Sequence, residues 1–457
     1  MSNSCEFPNV LFITPHAFNR VTGGGITFSN LFAGWPKSAI ATIHNDPEPT
    51  VIDVCNNYFV LGAEELDYIW PFNVLSENLK KSYERVSNST GKATDHPSGN
   101  PRIISNYLAK GLQRLKPAVV RMLGEGLPER AKLTPRLEGW VKDFQPQVIY
   151  TILGSNGIMK LVDDIAKKFN LPIVVHFMDD WLEANHRKGL FAVFLNRQMK
   201  VRVREVLQQA TCCLAISPSM KEAYQKRFGR EFEAFQNTID YDAYAREPNL
   251  DKGTNGVADI VYIGSIFPNA QLQSLVMCCR AVSELNRDGI PAKLTISSPS
   301  GHAERYSELL KIDDCVEIVD TIENDEEFFQ RISVADLLLL PVNFDEDSVR
   351  FIRYSMPTKV PAYVTAGGPV LVYGPRQTAQ VAYALNEEWG YVVDAPKLDA
   401  LADGMKLVLF DKKLRKNLLN NARRVARENH DLKRVRLEFQ RKIIEAARKK
   451  KQGVDRK

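Results

Sequence analysis

Short β-branched runs alternate with longer helical patterns along nearly the whole of this 457-residue chain, and few folds accommodate that order. In the first half, residues 10–13, 38–43, 58–61, 148–152, 173–177 and 212–216 read as strands, with 156–168, 187–210 and 219–227 as helices. In the second half, 260–263, 293–297, 316–319, 337–340, 369–372 and 391–393 read as strands, again with helical patterns between them. Strands joined through helices form parallel sheets covered on both faces. The chain is too long for one core, so the pattern predicts an α/β protein of two doubly wound, Rossmann-like domains facing a central cleft. Residues 1–239 are the expected first domain and 240–431 the second, joined by a single polar linker at 240–259. The last helical pattern, 432–448, is expected to pack back on the first domain, ahead of a basic tail at 449–457. Residues 85–101 read as a long polar insertion.

A composition of 44% hydrophobic and 25% charged residues excludes a disordered chain, a collagen and a disulfide scaffold. No apolar run approaches the roughly 18 residues of a spanning helix. The start, MSNSCEFPNVLFITP, lacks a basic region before its apolar run and reads as a strand rather than a signal peptide. Seven cysteines without a CxxC pair read as small core residues in a reducing cytoplasm. The histidines show no ligand spacing, so neither a metal nor a cofactor is expected.

The net charge of +5 is unevenly placed. Residues 101–140 hold eight basic side chains against three acidic ones, interleaved with Ile, Leu, Val and Tyr. Such a stretch predicts contact with an anionic membrane surface, and hence a peripheral place on the inner face of a membrane. The tail 441–457 holds eight basic against two acidic residues and reads as a solvated helix face. No nucleic-acid-binding motif accompanies these charges, so a nucleic-acid partner is not expected.

Ligands of open α/β sheets bind beyond the carboxyl ends of the strands. Two facing sheets would hold two ligands in one cleft, which suits transfer of a group between substrates. Thr22-Gly-Gly-Gly25 follows the first strand and allows backbone to approach a phosphate or sugar. It is not GxGxxG, which disfavours an NAD-dependent dehydrogenase. In the segment 355–375, Pro357 is expected to open a helix whose free N–H groups, with Lys359, make an anion site. Gly367-Gly-Pro369 then ends that helix and launches a buried strand. A lysine there, opposite a glycine loop, suits a sugar-nucleotide diphosphate and would stabilise the departing diphosphate without a metal.

Pro357-Thr-Lys359, Tyr363, Gly367, Pro369-Val-Leu371 and Gly374-Pro375 together resemble the donor-site signature of retaining glycosyltransferases of the GT-B fold, group 1 (family 4-like) type. Further similarities are the glycine-rich first loop, His176-Phe-Met-Asp-Asp180, Ala215-Ile-Ser217 and Val261-Tyr-Ile-Gly264. The resemblance implies transfer of a sugar, with retention, from a nucleoside-diphosphate sugar to a hydroxyl acceptor, in polysaccharide or glycolipid assembly. A lipid-linked saccharide is one such acceptor. It implies that Ser355, Thr358 and Lys359 face the donor diphosphate, with Pro357 and Tyr363 in the same donor-side set and Gly24 and Gly25 approaching from the other domain. His176, Asp179 and Asp180 become the candidates for orienting the sugar or taking a proton, with His16 beside them. Ser298, Val319, Asp320 and Thr321 are positional candidates near the donor base.

Three positions depart from the family pattern. Ser265 stands where a basic residue is usual, so Arg350 or Arg353 is expected to supply that charge. Ala362 and Tyr354 stand where the family has glutamates, of which the one at 362 accepts hydroxyls of the donor. Ala362 is therefore either a natural mark of an altered site or an engineered substitution, and the well-kept surroundings favour engineering. A GT-B-shaped binding subunit without turnover is the second reading, and a sugar-nucleotide epimerase the third.

Overall fold

The computed structural model describes residues 7–19, 23–45, 51–70, 72, 127–185, 189–247, 256–322 and 324–454. The insertion 85–101, residues 101–126 of the basic amphipathic stretch, 248–255 of the expected linker, Thr22 and the tail residues 455–457 lie outside the described residues. Fifteen strands are described. They are β1 (Val10–Ile13), β2 (Ile40–His44), β3 (Tyr58–Val60), β4 (Leu66–Tyr68), β5 (Glu129–Ala131), β6 (Val148–Thr151), β7 (Ile173–Phe177), β8 (Ala210–Ala215) and β9 (Glu233–Ala234) in the first half. The second half holds β10 (Ala258–Ile263), β11 (Ala292–Ser297), β12 (Val316–Val319), β13 (Leu337–Pro341), β14 (Val370–Tyr373) and β15 (Tyr391–Val393).

These strands build two parallel sheets, ordered β3-β2-β1-β6-β7-β8-β9 and β12-β11-β10-β13-β14-β15, plus an antiparallel β4-β5 ribbon. The order reverses between β1 and β6 and again between β10 and β13. Each reversal opens a crevice at the carboxyl ends of the strands. β1, β2, β6 and β7 are buried at every residue, because helices cover both faces of the sheet. The expected strand 38–43 begins at Ile40, since Lys37–Ala39 form a single 3-10 turn. The expected helix 187–210 is described over Ala192–Gln209. The ribbon and the two-residue β9 are too short to show a period in the sequence.

The final helix, Leu432–Val454, returns to the first sheet. Phe439 is fully buried there against Phe32, Tyr150 and Phe235. Arg436 Nε donates to the Asn30 carbonyl at 2.9 Å, and Gln440 Nε2 donates to the Leu31 and Ala33 carbonyls at 3.2 and 3.1 Å. The chain therefore crosses between the sheets a second time, ahead of the final helix. The Ile239 amide donates to the His430 carbonyl at 2.9 Å, and the Leu432 amide to the Ile239 carbonyl at 2.8 Å. His430 is fully buried at this crossing, its Nδ1 2.8 Å from the Asn237 carbonyl and its Nε2 3.1 Å from the Tyr383 hydroxyl. Burial pulls its pKa down to about 4. One apolar cluster runs from Phe177, Met220 and Tyr224 beside the first sheet to Met356, Val360 and Tyr363 beside the second.

Candidate functional site

The loops after β1 and β7 meet residues 354–359, which follow the short helix Glu346–Ile352 beyond the carboxyl end of β13. Ser355 Oγ donates to Asp179 Oδ1 at 2.5 Å. Ser217 Oγ donates to the Tyr354 carbonyl at 2.9 Å, and Asn237 Nδ2 to the Met356 carbonyl at 3.3 Å. Asn237 Oδ1 also meets the Thr27 hydroxyl, which ties the glycine-rich helix to the same point. A Cβ added at Gly23 would stand 3.2 Å from Thr358 Cγ2, so the glycine backbone and the Thr358 side chain are close neighbours. The glycines form the first turn of the helix Gly23–Phe32 rather than a loop before it. Gly24 is half-buried and Gly25 buried.

Lys359 is the principal charge on this floor. Its Nζ lies 4.0 Å from the centre of the Tyr262 ring and directly over Gly264, where a Cβ would come within 2.8 Å of it. Gly264 also has φ of +138°, so glycine is required there for both backbone conformation and space. Solvent reaches part of the lysine side chain, yet the surrounding protein strips water from the ammonium and pulls its pKa down to about 7. No carboxylate among the described residues pairs with it. The Tyr262 hydroxyl and Gln271 Nε2 both donate to the Ser265 carbonyl, at 2.7 and 2.9 Å, and so fix the turn after β10. At the ends of β11 and β12, the Ser298 amide donates to the Val319 carbonyl at 3.1 Å. The buried Ser298 hydroxyl makes no hydrogen bond within the protein.

Several expected placements are corrected. The helix starts at Lys359 and ends at Thr365, so Pro357 precedes it by two residues and Pro361 occupies its first turn. A helix this short contributes little dipole, and the positive charge comes from the lysine itself. Tyr363 does not face the cleft. It is fully buried, and its hydroxyl accepts the Ile263 amide at 3.1 Å, anchoring the end of β10. Ala362 is buried in the same apolar cluster. His176 is a core residue, because alternation along β7 turns Val174 and His176 toward the final helix. Its Nδ1 lies 2.7 Å from the Tyr150 hydroxyl, and complete burial pulls its pKa down to about 3, so the ring is neutral.

The two aspartates differ. Asp179 meets solvent in the cleft, but close protein raises its pKa, while the Ser355 hydrogen bond and the charge of His16 oppose that rise. His16 is exposed beside it. Asp180 is buried at the head of the helix Trp181–Ala184, yet its side chain makes no capping bond. It accepts from the Tyr224 hydroxyl at 2.7 Å and lies 3.6 Å from Arg227 Nη1. Burial raises its pKa against those two partners. Arg350 pairs with Asp347 at 2.9 Å, and Arg353 is exposed. Both line a hollow of about 410 Å³ with Asp180, Tyr224 and Tyr354, and no contact ties either to Lys359. Sequence reasoning missed Asn237 and Tyr224, and it read Ser217 only as the end of the Ala215-Ile-Ser217 run without giving it a role. The signals at Ser217 were that run and its place as the cap before Pro218, which concerns its own helix.

Among the described residues no group of three or more His, Cys, Asp or Glu side chains could hold a metal ion, and no helix is long and apolar enough to cross a membrane. No family model matches the sequence, and no curated protein matches it either. Solved structures do match the fold. Sucrose-phosphate synthase of Thermosynechococcus elongatus superimposes with a TM-score of 0.59 at 14% identity, over 95% of this chain and 98% of that one. HepE of Anabaena, in complex with UDP and glucose, gives 0.55 at 13% identity over 95% and 99%. WaaG, a glycosyltransferase involved in lipopolysaccharide biosynthesis, gives 0.54 at 15% identity over 95% and 99%. The chain thus has the GT-B fold, an α/β architecture of two parallel-sheet domains.

Proposed function

We propose that this protein is a glycosyltransferase that moves a sugar from a nucleoside-diphosphate sugar to a hydroxyl acceptor with retention at the anomeric carbon. The observation that carries the reading is Lys359, an unpaired and desolvated ammonium at the carboxyl end of β10, close to the glycine turn of the facing sheet. An anion is the partner such a group lacks, and a diphosphate would restore its charge. The GT-B fold and the resemblance of segment 355–375 favour a sugar nucleotide over a free anion. The complex of HepE with UDP and glucose is consistent with that substrate class.

In this reading Lys359, Thr358 and Ser355 hold the diphosphate, with Gly24 and Gly25 opposite. The bond from the anomeric carbon to the phosphate oxygen breaks as the acceptor oxygen bonds to the same face. The departing diphosphate takes the acceptor proton, so no strongly basic side chain is needed. Asp179, held by Ser355 and close to His16, orients the sugar. The domains are residues 1–239 on the acceptor side and 240–431 on the donor side, with 432–448 returning to the first. The acceptor belongs to polysaccharide or glycolipid assembly at the cytoplasmic face of a membrane.

Incubation with UDP-, GDP- and ADP-sugars, followed by nucleotide release and the anomeric configuration of the product, tests the reading. Release of one nucleotide with a product of the donor's own configuration supports it, and an inverted product refutes retention. A second reading, a binding subunit without turnover, draws on Ala362, whose methyl group offers no acceptor for donor hydroxyls. Tight donor binding without release to any acceptor or to water would favour it.

A further inference from the structure

The helix Ala192–Gln209 covers the first sheet with Leu195, Met199, Val203 and Val206, and its opposite face is unusual. Val193, Arg197, Lys200, Val201 and Arg204 recur at the spacing of one helical stripe and point outward. Ordinary solvated helices mix both signs of charge on such a face. Here the apolar residues are strongly exposed, Val193 at 85% and Phe194 at 57%, and the preceding Leu190 at 66%. The Phe72 ring meets Phe191 edge to face, with centroids 5.2 Å apart, which brings the nearby Trp70, 80% exposed, to the same end. Lys200 reaches only to 4.0 Å from Glu183, and Arg197 and Arg204 have no carboxylate partner among the described residues.

We propose that this stripe, with Leu190, Phe194 and Trp70, is a docking surface for an anionic lipid bilayer. Apolar and tryptophan side chains beside basic ones, of which Arg197 and Arg204 have no carboxylate partner among the described residues, match the boundary between acyl chains and negative headgroups. Charge decides against the other occupants. Residues 102–121 of this chain are themselves basic in sequence, and a second copy would bring the same basic stripe against itself. Nucleic acid would satisfy the arginines but leave Val193, Phe194 and Trp70 in water. The surface also has the right position. The stripe lines a hollow of about 740 Å³ whose other wall includes Glu183 and Arg350, and both of these also line the hollow beside Asp180 and Tyr354. A bilayer docked there lies at the mouth of the cleft, where a lipid-borne acceptor would enter. The docking itself is independent of the transfer reading.

The test is co-sedimentation of the full chain with phosphatidylcholine vesicles, with and without phosphatidylglycerol. The parent protein, R197E/K200E/R204E and V193S/F194S are compared, with circular dichroism and nucleotide binding measured on each. Each basic residue near an anionic surface is worth roughly fivefold in partitioning. Losing three such charges already costs on the order of 100-fold, so the triple reversal should weaken binding to phosphatidylglycerol vesicles by at least that much, and V193S/F194S should weaken it even at high salt. Secondary structure and nucleotide binding should be unchanged in both. Failure of the parent to bind anionic vesicles overturns the proposal, as does binding that both variants retain. Concentration-dependent self-association, or binding to DNA without binding to vesicles, overturns it equally. A protein that binds vesicles but no nucleotide leaves the surface standing and removes the transfer reading.

Discussion

Replacing Lys359 with methionine keeps an unbranched side chain one atom shorter beside Tyr262 while removing the charge. The folded protein holds this ammonium at a pKa of about 7, against 10.5 for an ordinary lysine, and desolvation is the cause. Near pH 6 the group is charged in both folded and unfolded chains. Its burial then destabilises the fold by on the order of 3–5 kcal/mol, at ~1.4 kcal/mol per tenfold change in proton affinity, with the lower end reflecting its partial contact with water. Between about 7 and 10.5 the unfolded chain keeps a proton that the folded chain has released, so stability rises with pH across that window. Near pH 9 about 2–3 kcal/mol of the penalty is gone. Lys359→Met should therefore be more stable than the parent near pH 6, by a margin that shrinks toward pH 9. The same variant should lose affinity for nucleoside diphosphates by roughly 10–100-fold, the worth of a charge-assisted hydrogen bond. Urea unfolding at both pH values, with and without UDP, GDP or ADP, measures both effects. A stability difference that ignores pH, or a variant that keeps the parent's nucleotide affinity, would refute the role given to this lysine.

Ala362→Glu brings a carboxylate to the apolar cluster and should cost stability, yet it should raise sugar-nucleotide turnover by the roughly 1–3 kcal/mol of a charge-assisted bond to donor hydroxyls. Unchanged donor affinity and turnover would sink that expectation. Tyr224→Phe strips the buried Asp180 carboxylate of its 2.7 Å donor and should cost about 1–3 kcal/mol. Because the Asp180 pKa is already raised, stability tied to it falls as pH rises through that pKa, and the loss should be larger at neutral than at acid pH. Phe439→Ala should cost about 3–5 kcal/mol by emptying the site between Phe32, Tyr150 and Phe235, as read from thermal unfolding. His176→Leu leaves the Tyr150 hydroxyl buried without its partner and should cost about 1–3 kcal/mol. The native histidine takes up its proton only near 3, against 6.5 when unfolded, so its contribution is full above 6.5 and lost as pH falls toward 3. The variant should accordingly be less sensitive to acid, with nucleotide affinity unchanged.

The sheets were legible because their strands are buried on both faces and read as continuous apolar runs, such as VLFI in β1 and LLLLP in β13. Lys359 was legible because a lysine beside Pro357 and ahead of Gly367-Gly-Pro369 sits in a recognisable chemical pattern. His176 was misplaced for the opposite reason. Its neighbours in sequence, Asp179 and Asp180, lie at the strand end, but one residue of strand alternation separates a ring facing the cleft from one facing the final helix. Tyr363 falls in the donor-like segment and yet serves the core, since helical spacing turns it toward Ile263. The contacts between the sheets, Ser355 with Asp179 and Asn237 with Met356, join residues up to 176 positions apart, and within the first domain Asn237 meets Thr27 across 210 positions. No local pattern encodes such pairs. They arise only when both sheets are in place.

The central claim is that the floor beneath Lys359 binds a nucleoside diphosphate. Calorimetric titration of the full chain with UDP, GDP and ADP, and then with the sugar form of whichever binds, tests it. Saturable binding of one diphosphate, with proton uptake above pH 7 as the ligand restores the charge of Lys359, is the expected result. Absence of binding by every diphosphate, or binding without any proton uptake, would contradict it.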